Sequence, residues 1–270
     1  MLGKETILHR SFRDLSITPV LRNFRVNRRV ELKRRGASLD CWKFFDRIYC
    51  ISLDERTDRR EEAKIQFSRV GLLERVEFVL VKKHPEDCEQ GIYESHMACI
   101  RNGLQAGARS ILIFEDDILF ERFSGSTLNH CVDFLSAVPD WNLLFLGCLV
   151  KSSKRTTNEN ILQVRYRSLA HAYAVSRNFA EVLVKKPWQG VAFDEMLSTL
   201  EQGCFALYPS MAFQSSSRTD NIKALRLDKF RRLWGGLRLI QKMNEVYHLH
   251  RGAILFLHVL VAFFILLWML

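Results

Sequence analysis

Three features of the sequence predict an α/β fold. Short runs rich in β-branched and aromatic residues alternate with segments of helical periodicity. Those runs are apolar throughout rather than at every second residue, and one of them stops at three successive carboxylates. Continuous apolarity marks strands covered on both faces, as in mainly parallel sheets flanked by helices. The 270 residues suffice for one large domain or two small ones, and 48% hydrophobic with 26% charged residues excludes wholesale disorder, collagen and a polytopic membrane protein.

Taken in order, residues 44–53 (FFDRIYCISL) form the first expected strand, and the polar DERTDRRE after it opens a helix with Thr57 as N-cap. Residues 76–81 (VEFVLV) are a second strand. Residues 93–106 read as a helix, because Met97, Ile100 and Leu104 recur on one face. A third strand, 110–114 (SILIF), runs into Glu115, Asp116 and Asp117. Further strands are expected at 142–146 (NLLFL) and 172–175 (AYAV), then a helix over 177–186. The polar stretch 151–160 (KSSKRTTNEN) reads as a loop able to move over a site.

The formal charge of +10 is unevenly spread. Residues 1–47 hold 12 Lys and Arg against 5 Asp and Glu, residues 218–252 hold 9 against 3, and the acidic middle holds 19 against 22. Basic flanks suit anionic lipid or nucleic acid. The run Arg22, Arg25, Arg28, Arg29, Lys33, Arg34 and Arg35 carries no zinc-finger or RNA-binding signature, which leaves nucleic acid the less expected partner.

Residues 253–270 (AILFLHVLVAFFILLWML) are uncharged, with His258 as the single polar side chain. At about 1.5 Å per residue this helix is roughly 27 Å long, close to the ~30 Å of a hydrocarbon core. The absence of a polar face favours a membrane helix over a half-exposed one. Ahead of it, Ile222, Leu225, Leu227, Leu233, Leu237 and Ile240 alternate with Lys223, Arg226, Lys229, Arg231, Arg232 and Arg238. That pattern reads as a basic amphipathic helix lying in an anionic membrane interface, with Trp234 at headgroup level and a break at Gly235-Gly236. The positive-inside rule then places the body on the cytoplasmic face, and no apolar signal segment follows Met1. Seven Cys without a CxxC pair or ligand spacing indicate free thiols in a reducing compartment.

The chemistry concentrates in SILIFEDDILF. Three adjacent like charges at the end of a buried strand repel one another unless a cation or hydrogen-bond donors face them. Ligands of open α/β sheets bind at such strand ends. Hard oxygens favour Mg²⁺ or Mn²⁺, which complete their shells with water and phosphate. After the first strand, Arg56, Arg59 and Arg60 beside Asp54 and Asp58 form either a phosphate grip or a surface ion-pair cluster. Cys148 reads as a buried small hydrophobe, His171 and Tyr173 as packing residues, and Phe205, Tyr208 and Phe213 as core or the floor of a sugar subsite.

In order, the blocks ISLDERTDRRE, GIYESHMACI, ILIFEDDILF, LLFLGC, AHAYAVS, FDEML and FALYPSMAFQ resemble glycosyltransferase family 25, the lipopolysaccharide-biosynthesis glycosyltransferases related to collagen galactosyltransferase domains. The resemblance covers about residues 46–217. It implies a GT-A-like domain over that range, between a basic extension (1–45) and the amphipathic segment (218–252) with its hydrophobic membrane tail (253–270). It further implies a metal-dependent hexosyltransferase that moves a sugar, galactose first among candidates, from a UDP-sugar to a saccharide or glycolipid acceptor at the bacterial inner membrane. The alternative is an inactive sugar-nucleotide or partner-binding module of the same fold.

Carried over by position, Leu53, Asp54, Arg56, Asp58, Arg59 and Arg60 match the nucleotide-pocket block, and Gly91, Ser95 and His96 match a helix start facing the donor. Glu115, Asp116 and Asp117 match the metal and donor block, with Asp117 as the principal Mn²⁺ or Mg²⁺ ligand. Asp194 and Glu195 are the implied acceptor-side bases, with His96 as the rival. Ile92 and Glu94 depart from the family's small residue and Leu.

Overall fold

The structure, a computed structural model, describes residues 41–200, 202–215, 221, 223, 231 and 235–269. The N-terminal arginine run, and Ile222, Leu225, Arg226, Leu227, Lys229, Arg232, Leu233 and Trp234 of the amphipathic segment, lie outside the described residues.

Two cores arise from one period. In β1 (Arg47–Leu53), Ile48 and Cys50 belong to one buried cluster while Tyr49 and Ile51 pack with a second. The same split recurs in β3 (Ser110–Glu115), where Leu112 and Phe114 face one way and Ile111 and Ile113 the other. Side chains alternate across a strand, so a sheet covered on both faces needs apolar residues at every position. Ala63 and Phe67 of α1 (Thr57–Arg69) close the first face. Met97 and Ile100 of α2 (Cys88–Gln105) close the second.

Eight strands form the main sheet. Besides β1 and β3 these are β2 (Val76–Val81), β5 (Leu143–Phe145), β6 (Leu149–Arg155), β7 (Ile161–Ser168), β8 (Ala172–Ser176) and β9 (Cys204–Leu207), in the order β2-β1-β3-β8-β5-β9-β7-β6. Six run one way, and β7 and β8 run against them. The sheet is therefore mixed α/β and mostly parallel. β4 (Ile118–Phe120) pairs with β10 (Ala212–Gln214) in a separate antiparallel ribbon. α3 (Gly125–Ser136) packs on the first core, and α4 (Arg177–Leu183) and α5 (Phe193–Ser198) pack on the second.

Three local expectations change. The stretch 151–160 is not wholly a loop, because Ser152 to Arg155 pair with β7, Lys151 sits at a register shift, and an irregular turn follows. Thr57 is the first residue of α1 rather than its cap; Arg56 holds the cap position, and its side chain makes no capping hydrogen bond. Asp87 caps α2 by accepting from the Glu89 N–H at 2.9 Å, which starts that helix five residues before 93.

Gly235 and Gly236 take positive φ where α6 (Gly236–Met269) opens, and that helix is kinked at His250. Its first half is bonded to the domain through polar side chains. Gln241 donates to Ala212 O at 2.9 Å, and the Asn244 amide bridges both backbone groups of Val150, where the β6 register shifts. The buried Glu245 accepts from both Arg122 nitrogens at 2.9 and 3.0 Å and from Ser210 N–H at 3.1 Å. The second half is apolar on every side, and none of its most apolar stretch is buried.

Removing one partner of a buried ion pair strands the other charge. Arg122→Ala is expected to cost about 2 kcal/mol, since the Arg122 side chain is partly solvated but its loss leaves Glu245 one donor. Denaturant unfolding in detergent should show Arg122→Ala/Glu245→Ala costing less than the two single changes added together.

Candidate active site

β1, β2 and β3 are neighbours and parallel, so their C-terminal ends, Leu53, Val81 and Glu115, open on the same edge of the sheet. The pocket of about 230 Å³ beside that edge is lined by Ile51, Leu53, Arg59, Val81, Lys82, Lys83 and His84. Gly91, Ser95, His96, Glu115, Asp116 and Asp117 also line it, as do Gln214, Asn221, Gly236 and Leu237. Gly91 is required by close approach, because a Cβ there would lie 2.8 Å from the His84 Cβ.

The acidic turn is pinned at both ends. Glu115 N–H donates to His171 O at 2.9 Å, and Ser215 N–H donates to Asp117 O at 2.7 Å. Between these bonds, Arg59 enters from α1. Its Nε lies 3.0 Å from Asp116 Oδ1, and its terminal nitrogen lies 2.7 Å from Asp117 Oδ2. Glu115 turns the other way, its Oε1 3.5 Å from His96 Nε2. His96 is held by ring stacking on Phe193 at 4.2 Å and by Tyr173 Oη, 3.1 Å from its Nδ1.

One guanidinium thus faces three carboxylates, and the surplus is visible in their ionisation. Burial pushes Asp117 from its ordinary 3.8 up to about 7, against the pull of Arg59, and Asp116 is raised for the same reason. Burial also acts on Glu115, but the hydrogen bond and charge of His96 outweigh it and hold this carboxyl below its usual value. Asp117 Oδ1 is buried without a hydrogen-bond partner among the described residues. That orphaned hard oxygen, next to a pocket, fits one ligand of a divalent cation.

The expected shell of three acids is not assembled. No group of three or more His, Cys, Asp or Glu side chains placed to hold a metal occurs among the described residues, because Asp116 and Asp117 turn to Arg59 while Glu115 turns to His96. Asp194 and Glu195 are absent from the pocket wall. Both Asp194 oxygens are committed: Oδ1 accepts from Tyr166 Oη at 2.5 Å and Ala170 N–H at 3.1 Å, and Oδ2 accepts from Leu169 N–H at 2.9 Å. Glu195 is exposed on α5.

Of the six residues carried over from the first block, only Leu53 and Arg59 reach the pocket wall, beside Ile51 of the same block. Arg60 instead bonds Ser52 Oγ and the carbonyls of Leu53 and Asp54, tying α1 to the end of β1. Arg56 pairs with the exposed Asp58 at 2.9 Å, which lowers that carboxyl to about 2, and Asp54 is exposed. The Ser95 hydroxyl donates to Gly91 O at 2.6 Å.

Cys148, His171, Tyr173, Phe205, Tyr208 and Phe213 are all core residues. Sequence reasoning missed Lys82, Lys83 and His84. The available signal was the same one used for the carboxylates, a polar cluster directly after an apolar strand.

No protein-family model matches the chain, and no curated protein matches it. Solved structures do. The chain is similar to a glycosyltransferase involved in glycosylation of the major capsid of PBCV-1, at 10% identity and TM-score 0.32, over 51% of this chain and 63% of that one. It is also similar to a mannose-1-phosphate geranyltransferase from Thermus thermophilus (10%, TM-score 0.33, 59% and 72%). A third is a nucleoside-diphosphate-sugar pyrophosphorylase from Vibrio cholerae (11%, TM-score 0.29, 66% and 71%). At these values the likeness carries nothing about substrate or reaction, which must be read from the pocket.

A carboxylate raised in the folded state favours folding when protonated, so its stability contribution declines as pH rises from its unfolded value through its folded one. In chelator, Asp117→Asn should leave the melting temperature unchanged near pH 4. By pH 8 it should raise it by a few degrees. An equal effect at both pH values would remove the desolvation account.

Proposed function

We propose that the chain transfers a sugar from a UDP-sugar, galactose being the first candidate, to a saccharide or lipid-linked acceptor such as lipopolysaccharide core. The carrying observation is the unpartnered Asp117 oxygen beside a pocket at the C-terminal ends of three parallel strands. The seven sequence blocks of the family resemblance support the same reading. Lys82 and Lys83 on the rim supply positive charge for a diphosphate. The apolar second half of α6 supports attachment to a membrane, and the Lys and Arg excess ahead of it favours the cytoplasmic face for the body.

Asp117 would hold Mn²⁺ or Mg²⁺ through Oδ1, and such an ion neutralises charge developing on a departing diphosphate. Arg59 holds Asp116 and Asp117 in position and keeps the buried carboxylates from repelling one another. The acceptor hydroxyl attacks the anomeric carbon. The bond from that carbon to the β-phosphate oxygen breaks, and its electron pair leaves with UDP.

The acceptor proton passes to Glu115, the pocket carboxylate held most firmly ionised, with His96 Nε2 fixing its direction. Asp194 and Glu195 are not carried forward as bases, since neither lines the pocket.

The detergent-solubilised full chain, given a panel of UDP-sugars, should release UDP only with Mn²⁺ or Mg²⁺ present. Asp117→Ala should lower that rate about 100-fold or more, and Glu115→Gln should lower kcat by about 10²–10⁴ with little change in donor KM. UDP binding that is indifferent to metal, without turnover of any donor, would make the chain a binding module instead.

A further inference from the structure

The docked half of α6 is amphipathic in the inverse sense. Its domain face is polar: Gln241, Asn244, Glu245 and His248 bond to backbone and side chains of the body. Its outward face carries Leu239, Met243, Val246 and Tyr247, which are 44%, 64%, 53% and 46% exposed. Their spacing of four, three and one residues puts them on a single stripe of the helix, opposite the bonded face. An apolar stripe in this position has no partner within the described residues, and nothing in the bonding of the helix requires it.

We infer that this stripe lies in the interfacial layer of a phospholipid bilayer, so that the first half of α6 rests along the membrane surface before the chain turns in at His250. Two observations select lipid over a protein partner. The stripe lies on the same helix as the apolar segment that is long enough to cross a membrane, with only residues 248–252 between them, so a bilayer that receives the segment is within reach of the stripe. The helix is also non-helical at His250, where a segment lying on a surface must change direction to enter it. Tyr247, with an apolar ring and a polar tip, suits the headgroup boundary just before that bend.

The consequence concerns the acceptor. Gly236 and Leu237, immediately ahead of the stripe on the same helix, line the pocket. A helix is about 10–12 Å across with its side chains, so a stripe in lipid holds this part of the pocket rim about one helix diameter from the bilayer. The acceptor class is then a saccharide displayed at the membrane surface on a lipid, rather than a free oligosaccharide. The inference rests on the membrane reading of α6 given above.

The test uses the full chain with Cys88→Ser, the other cysteines being buried. A nitroxide is placed in turn at Met243→Cys, Val246→Cys, Leu257→Cys in the tail, and Val182→Cys on the exposed face of α4. The protein is reconstituted in vesicles of mixed zwitterionic and anionic phospholipid, and relaxation by oxygen is compared with that by a water-soluble nickel chelate. The expected result is an oxygen-to-nickel ratio at 243 and 246 several-fold above that at 182.

Ratios at 243 and 246 equal to that at 182 overturn the inference. With Leu257 in lipid, that outcome leaves the spanning tail intact; with Leu257 also in water, the membrane reading falls as well. Spin–spin broadening at 243 that disappears on dilution with unlabelled protein also overturns it, by making the stripe a contact between copies. High ratios at 243, 246 and 257 together support it, whereas high ratios at 243 and 246 with Leu257 in water overturn the turn into the bilayer at His250.

Discussion

The site depends on one unbalanced interaction, a single buried guanidinium against two carboxylates it touches and a third beside them. Arg59 reduces the repulsion among Glu115, Asp116 and Asp117 without cancelling it. A buried charge left partly uncompensated raises its own pKa or recruits a counter-ion. Asp116 and Asp117 do the first in isolation, and the orphaned Asp117 oxygen is positioned for the second. Glu115 escapes because it has turned to His96, so adjacent residues reach opposite ionisation tendencies. The proposed division between a metal ligand and a base rests on this difference between neighbouring carboxylates.

The surrounding fold exists to hold that turn. β1, β2 and β3 end together, the backbone of Glu115 is bonded to His171, and that of Asp117 is bonded to Ser215 after β10. β10 in turn pairs with β4, the strand leaving the acidic turn, so the turn is closed by a ribbon as well as by the sheet. The burial that raises Asp117 therefore comes from tertiary closure rather than from its sequence neighbours.

How much of this was legible follows from what kind of information each feature needs. Strands at 76–81 and 110–114, and the buried face of α2, could be read because an apolar period survives in a linear sequence. The direction of β8 could not, since AYAV has the same pattern in either orientation. The KSSKR segment looked like a loop because an edge strand with one exposed face can be nearly all polar. Asp194 resembled a base by its place in a block, yet only tertiary contacts with Tyr166, Leu169 and Ala170 reveal that its oxygens are taken. The acidic turn itself was readable, whereas the division of labour within it required knowing that Arg59 and His96 approach from different helices.

The two halves of α6 join these themes. Its polar face is bonded to the body by Gln241, Asn244 and Glu245, and Glu121, one residue beyond β4, pairs with Arg238 and Lys242 of the same helix. Arg122, next in sequence, takes Glu245. The segment that follows the acidic turn is thus held by the helix that carries the apolar tail, and a flexible tether would leave Glu121 and Glu245 without these partners. Buried polar bonds of this kind fix one geometry more strictly than apolar packing, because slipping by a single residue leaves each group unsatisfied. The distance between the pocket and the apolar tail is therefore set by hydrogen bonds within the fold rather than by the length of a linker.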